Sequence, residues 1–278
     1  MLSKFRKLLS LVAYVFITVS SAYAEDPFIL LQSTTSTRNS GLFAYLLPMY
    51  RELKGVEVRA VAVGTGQALK NARNGDADVL LVHAKSAEEK FVADGFGVER
   101  LDLMYNDFVI VGPGSDVAGV GGLTDSVEAL QKIAAKDARF ISRGDDSGTH
   151  KKERALWQQT NVDVDDASGT WYWETGSGMG ATLNVAVGKD AYVMTDRATW
   201  ISFQNKRKFE ILVEGDPQLF NQYGVILVNS KKHPHVKTEY GRAFIDWLLG
   251  EGGQNAIAAF KVDGKQLFYP NARPFIPP

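Results

Sequence analysis

Phe28-Ile-Leu-Leu-Gln32 is a short apolar run that breaks into Ser33-Thr34-Thr35-Ser36-Thr37 and then into a helical pattern from Arg38 to Leu53. Strand, hydroxyl-rich junction and helix, in that order, make a βα unit. Leu42, Tyr45, Leu46 and Met49 would share one face of the helix, which Pro48 should bend or shorten. The order then repeats. Val56 to Val63 is a strand pattern, Gln67 to Asn74 a short helix, Val79 to Val82 a buried strand and Ala87 to Asp94 another helix. The fold class is therefore α/β.

A different pattern begins at Leu103 to Val111, a long β-rich segment followed by Gly112-Pro-Gly-Ser115 and the pair Gly121-Gly122. A crossing between lobes is expected there. Asp125 and Glu128 form a candidate capping box for a helix reaching about Ala135, and Arg139 to Ser142 reads as a strand. Helices are predicted over Thr149 to Gln159, Met179 to Val187 and Arg197 to Phe203, with a strand at Ala191 to Thr195. Phe209 to Val213 and Tyr223 to Val228 are β-rich on either side of Gly215-Asp216-Pro217, the natural return crossing. Helices near Val236 to Leu249 and Gln254 to Phe260 precede an irregular tail, Pro270 to Pro278. Two crossings divide the chain into lobe I (25–110 and 217–278) and lobe II (111–216), a layout suited to hinge closure on a ligand. No internal repeat or low-complexity linker is visible.

Residues 1–24 stand apart. Lys4, Arg6 and Lys7 precede an apolar run from Leu8 to Val19, and Ala22-Tyr23-Ala24 has the small-x-small form that a signal peptidase reads. The run is too short for a membrane span, so export to the periplasm with cleavage after Ala24 is expected. The whole chain of 278 residues carries 31 basic and 32 acidic residues, and cleavage removes three basic ones, leaving a formal charge of -4. That balance argues against a nucleic-acid partner, and any bound anion must be held by local groups. The absence of cysteine excludes a disulfide framework, a thiol nucleophile, thiolate metal sites and a lipid-modified cysteine.

Four segments rich in glycine or hydroxyl groups fall at predicted strand-to-helix junctions: Ser33 to Thr37, Gly64-Thr65-Gly66-Gln67, Ser142 to Thr149 and Thr175 to Gly180. A helix start leaves backbone N–H groups unpaired and carries partial positive charge, glycine allows close approach, and hydroxyls donate without adding charge. Four such seats point to a small oxyanion held between lobes. Taken singly, each loop is also what ordinary caps and turns look like. Ser142-Arg-Gly-Asp-Asp-Ser-Gly-Thr149 says more, because Arg143 adds a planar fork of donors and a permanent charge. Its bland alternative is a surface turn with Arg143 paired to Asp145 or Asp146.

The octet, its continuation His150-Lys-Lys-Glu153, Thr34-Thr35-Ser36 and Thr175-Gly-Ser-Gly-Met179-Gly180 together resemble the tungstate-binding proteins of ABC transporters. The resemblance extends over the mature chain, including Ala191-Tyr-Val-Met-Thr-Asp196-Arg197-Ala-Thr199. It implies a two-lobed periplasmic binding protein fold of type II, with a mixed sheet flanked by helices in each lobe and a two-segment hinge. It also implies capture of tungstate, and of molybdate too, for an inner-membrane permease and its ATPase. The ligand set it implies is Thr34, Thr35, Ser36, Thr65, Arg143, Ser147, Gly148, Thr149, Ser177, Gly178, Met179 and Gly180. A monomer without cofactor or metal cation is expected.

Two other functions remain open on the sequence. A phosphate-binding protein would need an acceptor for the proton that phosphate keeps near neutral pH, and Asp145 or Asp146 is placed to supply one. A periplasmic phosphatase would need Ser147 and His150 as nucleophile and base, but the familiar motifs of hydrolases, P-loops and zinc proteases are absent. The four histidines, His83, His150, His233 and His235, form no ligand cluster by spacing. Trp171-Tyr172-Trp173 is read as core, and Lys206-Arg207-Lys208 as a solvated turn with permease contact as the other reading.

Overall fold

The structure, a computed structural model, describes residues 27–272; the expected export segment and residues 273–278 lie outside the described residues. The chain opens with β1 (Phe28–Thr34), α1 (Thr35–Asn39), α2 (Leu42–Lys54), β2 (Glu57–Val63), α3 (Thr65–Asn74), β3 (Val79–Val82) and α4 (Lys85–Ala93). The long strand β4 (Gly97–Pro113) leads to α5 (Ser126–Ala135), β5 (Phe140–Ser142), α6 (Gly148–Trp157), β6 (Tyr172–Glu174), α7 (Met179–Lys189), β7 (Val193–Asp196), α8 (Arg197–Ser202) and β8 (Phe209–Val213). A 3-10 turn at Pro217–Leu219 and β9 (Phe220–Val228) bring the chain back. It continues through α9 (Thr238–Leu249), α10 (Glu251–Ala259) and the short strands β10 (Lys261–Val262), β11 (Lys265–Gln266) and β12 (Tyr269–Pro270).

Strand order is the same in both lobes. In lobe I it is β2-β1-β3-β9-β4 with β12 at the edge; β1 to β3 are parallel, and β9 runs against β3 and β4. In lobe II the far half of β4 pairs antiparallel with β7 and β8, β5 and β6 pair in parallel, and Phe140 bridges to Tyr192, giving β6-β5-β7-β4-β8. The shared order leaves no trace as a sequence repeat because it requires only matching element patterns. One strand serves both sheets. β4 pairs with β9 as far as Asp107 opposite Phe220, and with β7 from Phe108 opposite Asp196. The boundary expected at residues 110 and 111 thus falls inside a continuous strand, just past the point where its pairing changes sheet.

Alternation along buried strands builds a core on each face of each sheet. Val79 and Leu81 face α2, α9 and α10 through Leu42, Leu46, Tyr50, Phe244 and Leu248, whereas Leu80 and Val82 face α3 and α4 through Ala68, Ala72 and Phe91. Lobe II does likewise. Phe108 and Ile110 join Leu130, Ile133 and Trp157, while Val109 and Val111 join Met179, Leu183 and Trp200. Tyr172 is fully buried and both neighbouring tryptophans pack against these cores, as read from the sequence.

The helix predicted over Arg38 to Leu53 is instead two helices. Gly41 sits in the left-handed region at φ +86°, where a side chain is strained, and it ends α1 and restarts the helix at Leu42. The buried face of α2 is turned from the expected one: Leu42, Phe43, Leu46 and Tyr50 point inward, and Tyr45 and Met49 are exposed. Pro48 lies within α2 without ending it. Its missing N–H frees the carbonyl of Ala44, and both residues are on the exposed side of the helix. The tail also begins in order, since β12 pairs with β4 and Asn271 Nδ2 donates to Gln222 Oε1 at 2.7 Å.

Candidate functional site

The four loops sit at the C-terminal ends of parallel strands, each leading directly into a helix: β1 into α1, β2 into α3, β5 into α6 and β6 into α7. The connections between them close a circuit that spans both lobes. The backbone N–H of Gly148, at the start of α6, donates to Thr65 Oγ1, at the start of α3, at 3.1 Å. Ser177 N–H donates to the Arg143 carbonyl at 3.2 Å, tying the α7 loop to the octet. A Cβ on Gly178 would stand 3.7 Å from Thr35 Oγ1, and one on Gly180 would stand 3.9 Å from Asn39 Nδ2, so α7 faces α1. Gly148 in turn packs against His83, at the end of β3.

Several donors inside this circuit have no protein acceptor. Thr35 Oγ1, Arg143 Nε and Thr149 Oγ1 are buried without a hydrogen-bond partner. Buried polar groups are normally paired, so three orphans in one circuit point to a polar guest. α3 and α7 add to this, because their N-caps, Gly64 and Gly178, carry no capping side chain and leave first-turn N–H groups unclaimed.

The remaining members of the expected set are engaged in different ways. Thr34 Oγ1 caps α1, accepting from Thr37 N–H at 3.3 Å, and lies 2.8 Å from Thr37 Oγ1 and 3.0 Å from Ser36 Oγ. Ser36 Oγ is 3.2 Å from His83 Nε2. Ser147 Oγ caps α6, accepting from His150 N–H at 3.2 Å. Ser177 Oγ donates to the Thr175 carbonyl at 3.1 Å, within its own turn. Met179 is a fully buried core residue that brings only its backbone to the junction, and Gly180 follows it in the first turn of α7.

Arg143 is not on a surface turn. It is 3% exposed, and its Nη2 donates to Asp145 Oδ2 at 2.6 Å. The other oxygen of Asp145 accepts from Ser147 N–H at 3.2 Å, so this carboxylate both orients the guanidinium and holds the octet turn. Asp146 is exposed and pairs with Lys151, and its carboxylate lies against Gly66 in the first turn of α3. His150 Nδ1 accepts from Asp146 N–H at 3.1 Å, which turns its ring to the backbone rather than to the Ser147 hydroxyl.

A second polar layer lies behind the loops. Asp196 is fully buried at the start of α8, accepting from Thr199 N–H at 2.8 Å and from Thr199 Oγ1 at 2.6 Å; burial raises its pKa and the Arg143 charge lowers it in part. Glu153 on α6 is buried under Ser142, accepting from Ser142 Oγ at 2.9 Å and Tyr172 OH at 2.7 Å; burial pushes it up to about 7. His83 stacks on Tyr223 at 4.7 Å between ring centroids and lies 3.0 Å from Asn221 Oδ1 through Nδ1. Its pKa is lowered to about 4, by burial first and by the Arg143 charge in addition, so the imidazole is neutral. Sequence reading passed over His83 as an isolated histidine. The available signal was its place at the end of β3, the same sheet edge from which the loops emerge.

The chemistry is donor-rich. Hydroxyls, helix-start N–H groups and one buried cation meet at these loops, while the Asp145 carboxylate accepts from Arg143 and Ser147. Among the described residues no group of three or more His, Asp or Glu is arranged to hold a metal ion. A cavity of about 1040 Å³ lies elsewhere, between the hinge and the β10–β11 hairpin, lined by Tyr105, Trp200, Phe220, Tyr269 and Lys265 among others, far too roomy for a tetrahedral ion.

Comparison with known proteins agrees with this geometry. Residues 21–251 match the PBP superfamily domain. The chain is 48% identical over 248 residues to the tungstate-binding protein TupA of Peptoclostridium acidaminophilum, covering 88% of this chain and 86% of that one. Among solved structures, the tungstate-binding protein TupA from Desulfovibrio alaskensis G20 is 49% identical with a TM-score of 0.77, covering 89% of this chain and 100% of that one. The tungstate ABC transporter structure from Geobacter sulfurreducens is 48% identical with a TM-score of 0.76, covering 84% and 98%. Identity at this level, over nearly the whole length of each relative, means that the chain belongs to the TupA family of substrate-binding proteins within the PBP superfamily.

Proposed function

We propose that this protein captures tungstate, and molybdate with it, between its two lobes in the periplasm and delivers it to an inner-membrane ABC permease driven by a cytoplasmic ATPase. The observation that carries the reading is the set of buried donors without acceptors, Thr35 Oγ1, Arg143 Nε and Thr149 Oγ1, inside a circuit closed by Gly148 and Thr65. Tungstate and molybdate are fully deprotonated tetrahedral dianions at neutral pH, so they ask only for donors. Hydrogen bonds to a charged group contribute roughly 1.5 to 3 kcal/mol each, and several of them reach the ~12 kcal/mol of nanomolar binding after the cost of closure. Sulfate carries the same charge in a smaller shell, so cavity size discriminates against it.

In this reading Thr35, Ser36, Thr65, Arg143, Thr149 and the backbone of Gly148 and Ser177 to Gly180 line the oxyanion. Thr34 and Ser147 act one step back, as caps that hold α1 and α6 in place. Lobe I comprises residues 25 to about 107 and about 217 to 278, and the mature chain starts at Glu25 and works as a monomer. The protein binds without catalysing: Ser147 Oγ serves a helix cap and His150 Nδ1 a backbone N–H, leaving no nucleophile and base pair.

Competition tests the choice of ligand. Phosphate added in thousandfold excess to the tungstate-loaded protein is expected to leave tungstate bound, because the Asp145 carboxylate is held by Arg143 and Ser147 instead of being aimed at the ligand. Displacement by phosphate at comparable concentration would overturn the assignment.

A further inference from the structure

Behind Ser36 runs a buried line of side chains whose hydrogen-bond direction decides what Ser36 shows the ligand. Ser36 Oγ lies 3.2 Å from His83 Nε2, His83 Nδ1 lies 3.0 Å from Asn221 Oδ1, and Asn221 Nδ2 lies 2.7 Å from Asn106 Oδ1. Ser36, Asn106 and Asn221 are each no more than 2% exposed and His83 is 6% exposed, so water does not complete the line. The neutral imidazole carries one N–H and one bare nitrogen.

Two directions satisfy these distances. In the first, Asn221 donates to Asn106, its oxygen takes the Nδ1–H of His83, and the bare Nε2 takes the Ser36 proton. Ser36 then presents only lone pairs to the cleft, and Asn106 Nδ2 is left buried with no acceptor. In the second, both carboxamides are turned over, which exchanges atoms of nearly equal size and leaves every distance intact. Asn106 Nδ2 then donates to Asn221 Oδ1, Asn221 Nδ2 donates to His83 Nδ1, and His83 Nε2–H donates to Ser36 Oγ. Thr34 Oγ1, 3.0 Å from Ser36 Oγ, is the donor of that pair in this arrangement, with Thr37 Oγ1 donating to Thr34 in turn, so the Ser36 proton is freed. The oxygen of Asn221 also comes to the position 3.5 Å from the Tyr223 hydroxyl, a donor. The unpartnered amide of Asn106 becomes an unpartnered carbonyl, the less costly of the two.

We propose that His83 is the positioning residue that sets the donor polarity of the oxyanion site: Asn106 and Asn221 hold it as the Nε2–H tautomer, it donates to Ser36 Oγ, and Ser36 thereby offers its own proton to the ligand. The proposal rests on Ser36 facing the bound oxyanion, as in the proposed function, and it adds a reason for selectivity. A fully deprotonated oxyanion accepts from Ser36. An oxyanion that turns its own proton toward Ser36 finds both lone pairs of that oxygen taken, by the His83 N–H and the Thr34 hydroxyl.

The tautomer is read directly by long-range 1H–15N correlation of the histidine rings in the uniformly 15N-labelled wild-type protein, with His83 identified by the signal missing in His83→Gln. A protonated Nε2 with a bare Nδ1 is expected, and a protonated Nδ1 would overturn the proposal. This readout needs no ligand, so it stands even if the protein fails to bind tungstate and the functional reading falls. Tungstate affinity supplies the second arm. Ser36→Ala and His83→Leu are each expected to weaken binding about tenfold or more, the loss of one hydrogen bond to a charged ligand. The double variant should be no weaker than Ser36→Ala alone, and His83→Gln, whose amide nitrogen replaces Nε2 as donor, should stay within about threefold of wild type. Wild-type affinity in His83→Leu, or losses that multiply in the double variant, would contradict the proposal.

Discussion

The N–H of Gly148 and the hydroxyl of Thr65 meet at 3.1 Å, one residue from each lobe. This contact defines the closed arrangement, because both residues begin helices whose N-termini look into the same small volume. A side chain at Gly148 would be crowded: a Cβ there would stand 3.0 Å from His83 Cε1 and 3.2 Å from the His83 carbonyl oxygen. Gly148→Ala is therefore expected to obstruct closure rather than folding. Calorimetry should show tungstate affinity reduced about tenfold or more, with the melting temperature of the ligand-free protein little changed; unchanged affinity would mean that the lobes close elsewhere.

Thr149 separates stability from binding. Its hydroxyl is buried without a hydrogen-bond partner in the protein, so exchanging it for a methyl group breaks no internal hydrogen bond at nearly constant volume. Thr149→Val is expected to leave ligand-free stability the same or higher and to weaken tungstate binding by about 2 kcal/mol. Denaturant unfolding and titration of the same preparation check both signs.

Arg143 presents a fork, with Nη2 held by Asp145 and Nε left for the cleft. Arg143→Lys retains a positive charge but cannot serve both directions at once. Some tungstate affinity should survive while the ratio of tungstate to sulfate binding narrows. Equal affinities of the variant and wild type for every oxyanion would place Arg143 outside the site.

Glu153 gives the support beneath the site a pH signature. Burial raises its folded pKa to about 7 from an ordinary 4.5, so between those values the folded state keeps a proton that the unfolded state has lost. The sign follows: its contribution is full below about pH 4.5 and disappears as pH rises through 7. Glu88, also raised to about 7, and His83, lowered to about 4, act in both proteins alike, so the difference from Glu153→Gln isolates this group. Wild type should lose stability relative to Glu153→Gln as pH rises from 4.5 to 7 in urea titrations.

Much of the fold was legible because its strands are short, apolar and bounded by glycine or hydroxyl residues. Val79 to Val82 is buried on both faces and reads that way from composition alone. The crossing was harder to place, since β4 changes sheet between Asp107 and Phe108 with no break in its β pattern, while the glycine loop that suggested a boundary starts only at Gly112, at the very end of the strand. The α2 face was misread because Leu42 and Leu46 belong to two overlapping apolar stripes, one with Tyr45 and Met49 and one with Phe43 and Tyr50, and periodicity alone does not choose between them.

The loops of the site were visible as composition, since helix starts and glycine turns are local. What joins them was not. Asn221 lies 138 positions from His83 and Thr65 lies 83 positions from Gly148, and only the sheet order brings these pairs together. Local spacing also fails to tell a ligand donor from a cap, as with Thr34 and Thr35: adjacent threonines, one bonded into α1 and the other left without a partner.

Calorimetric titration of residues 25–278 with tungstate, molybdate, sulfate and phosphate in separate runs tests the oxyanion site most directly. Tight, one-to-one binding of tungstate and molybdate is expected, with sulfate and phosphate giving no heat of binding at the same concentrations. Silence with all four ions, or preference for phosphate, would contradict a donor-only site built from Thr35, Arg143 and Thr149.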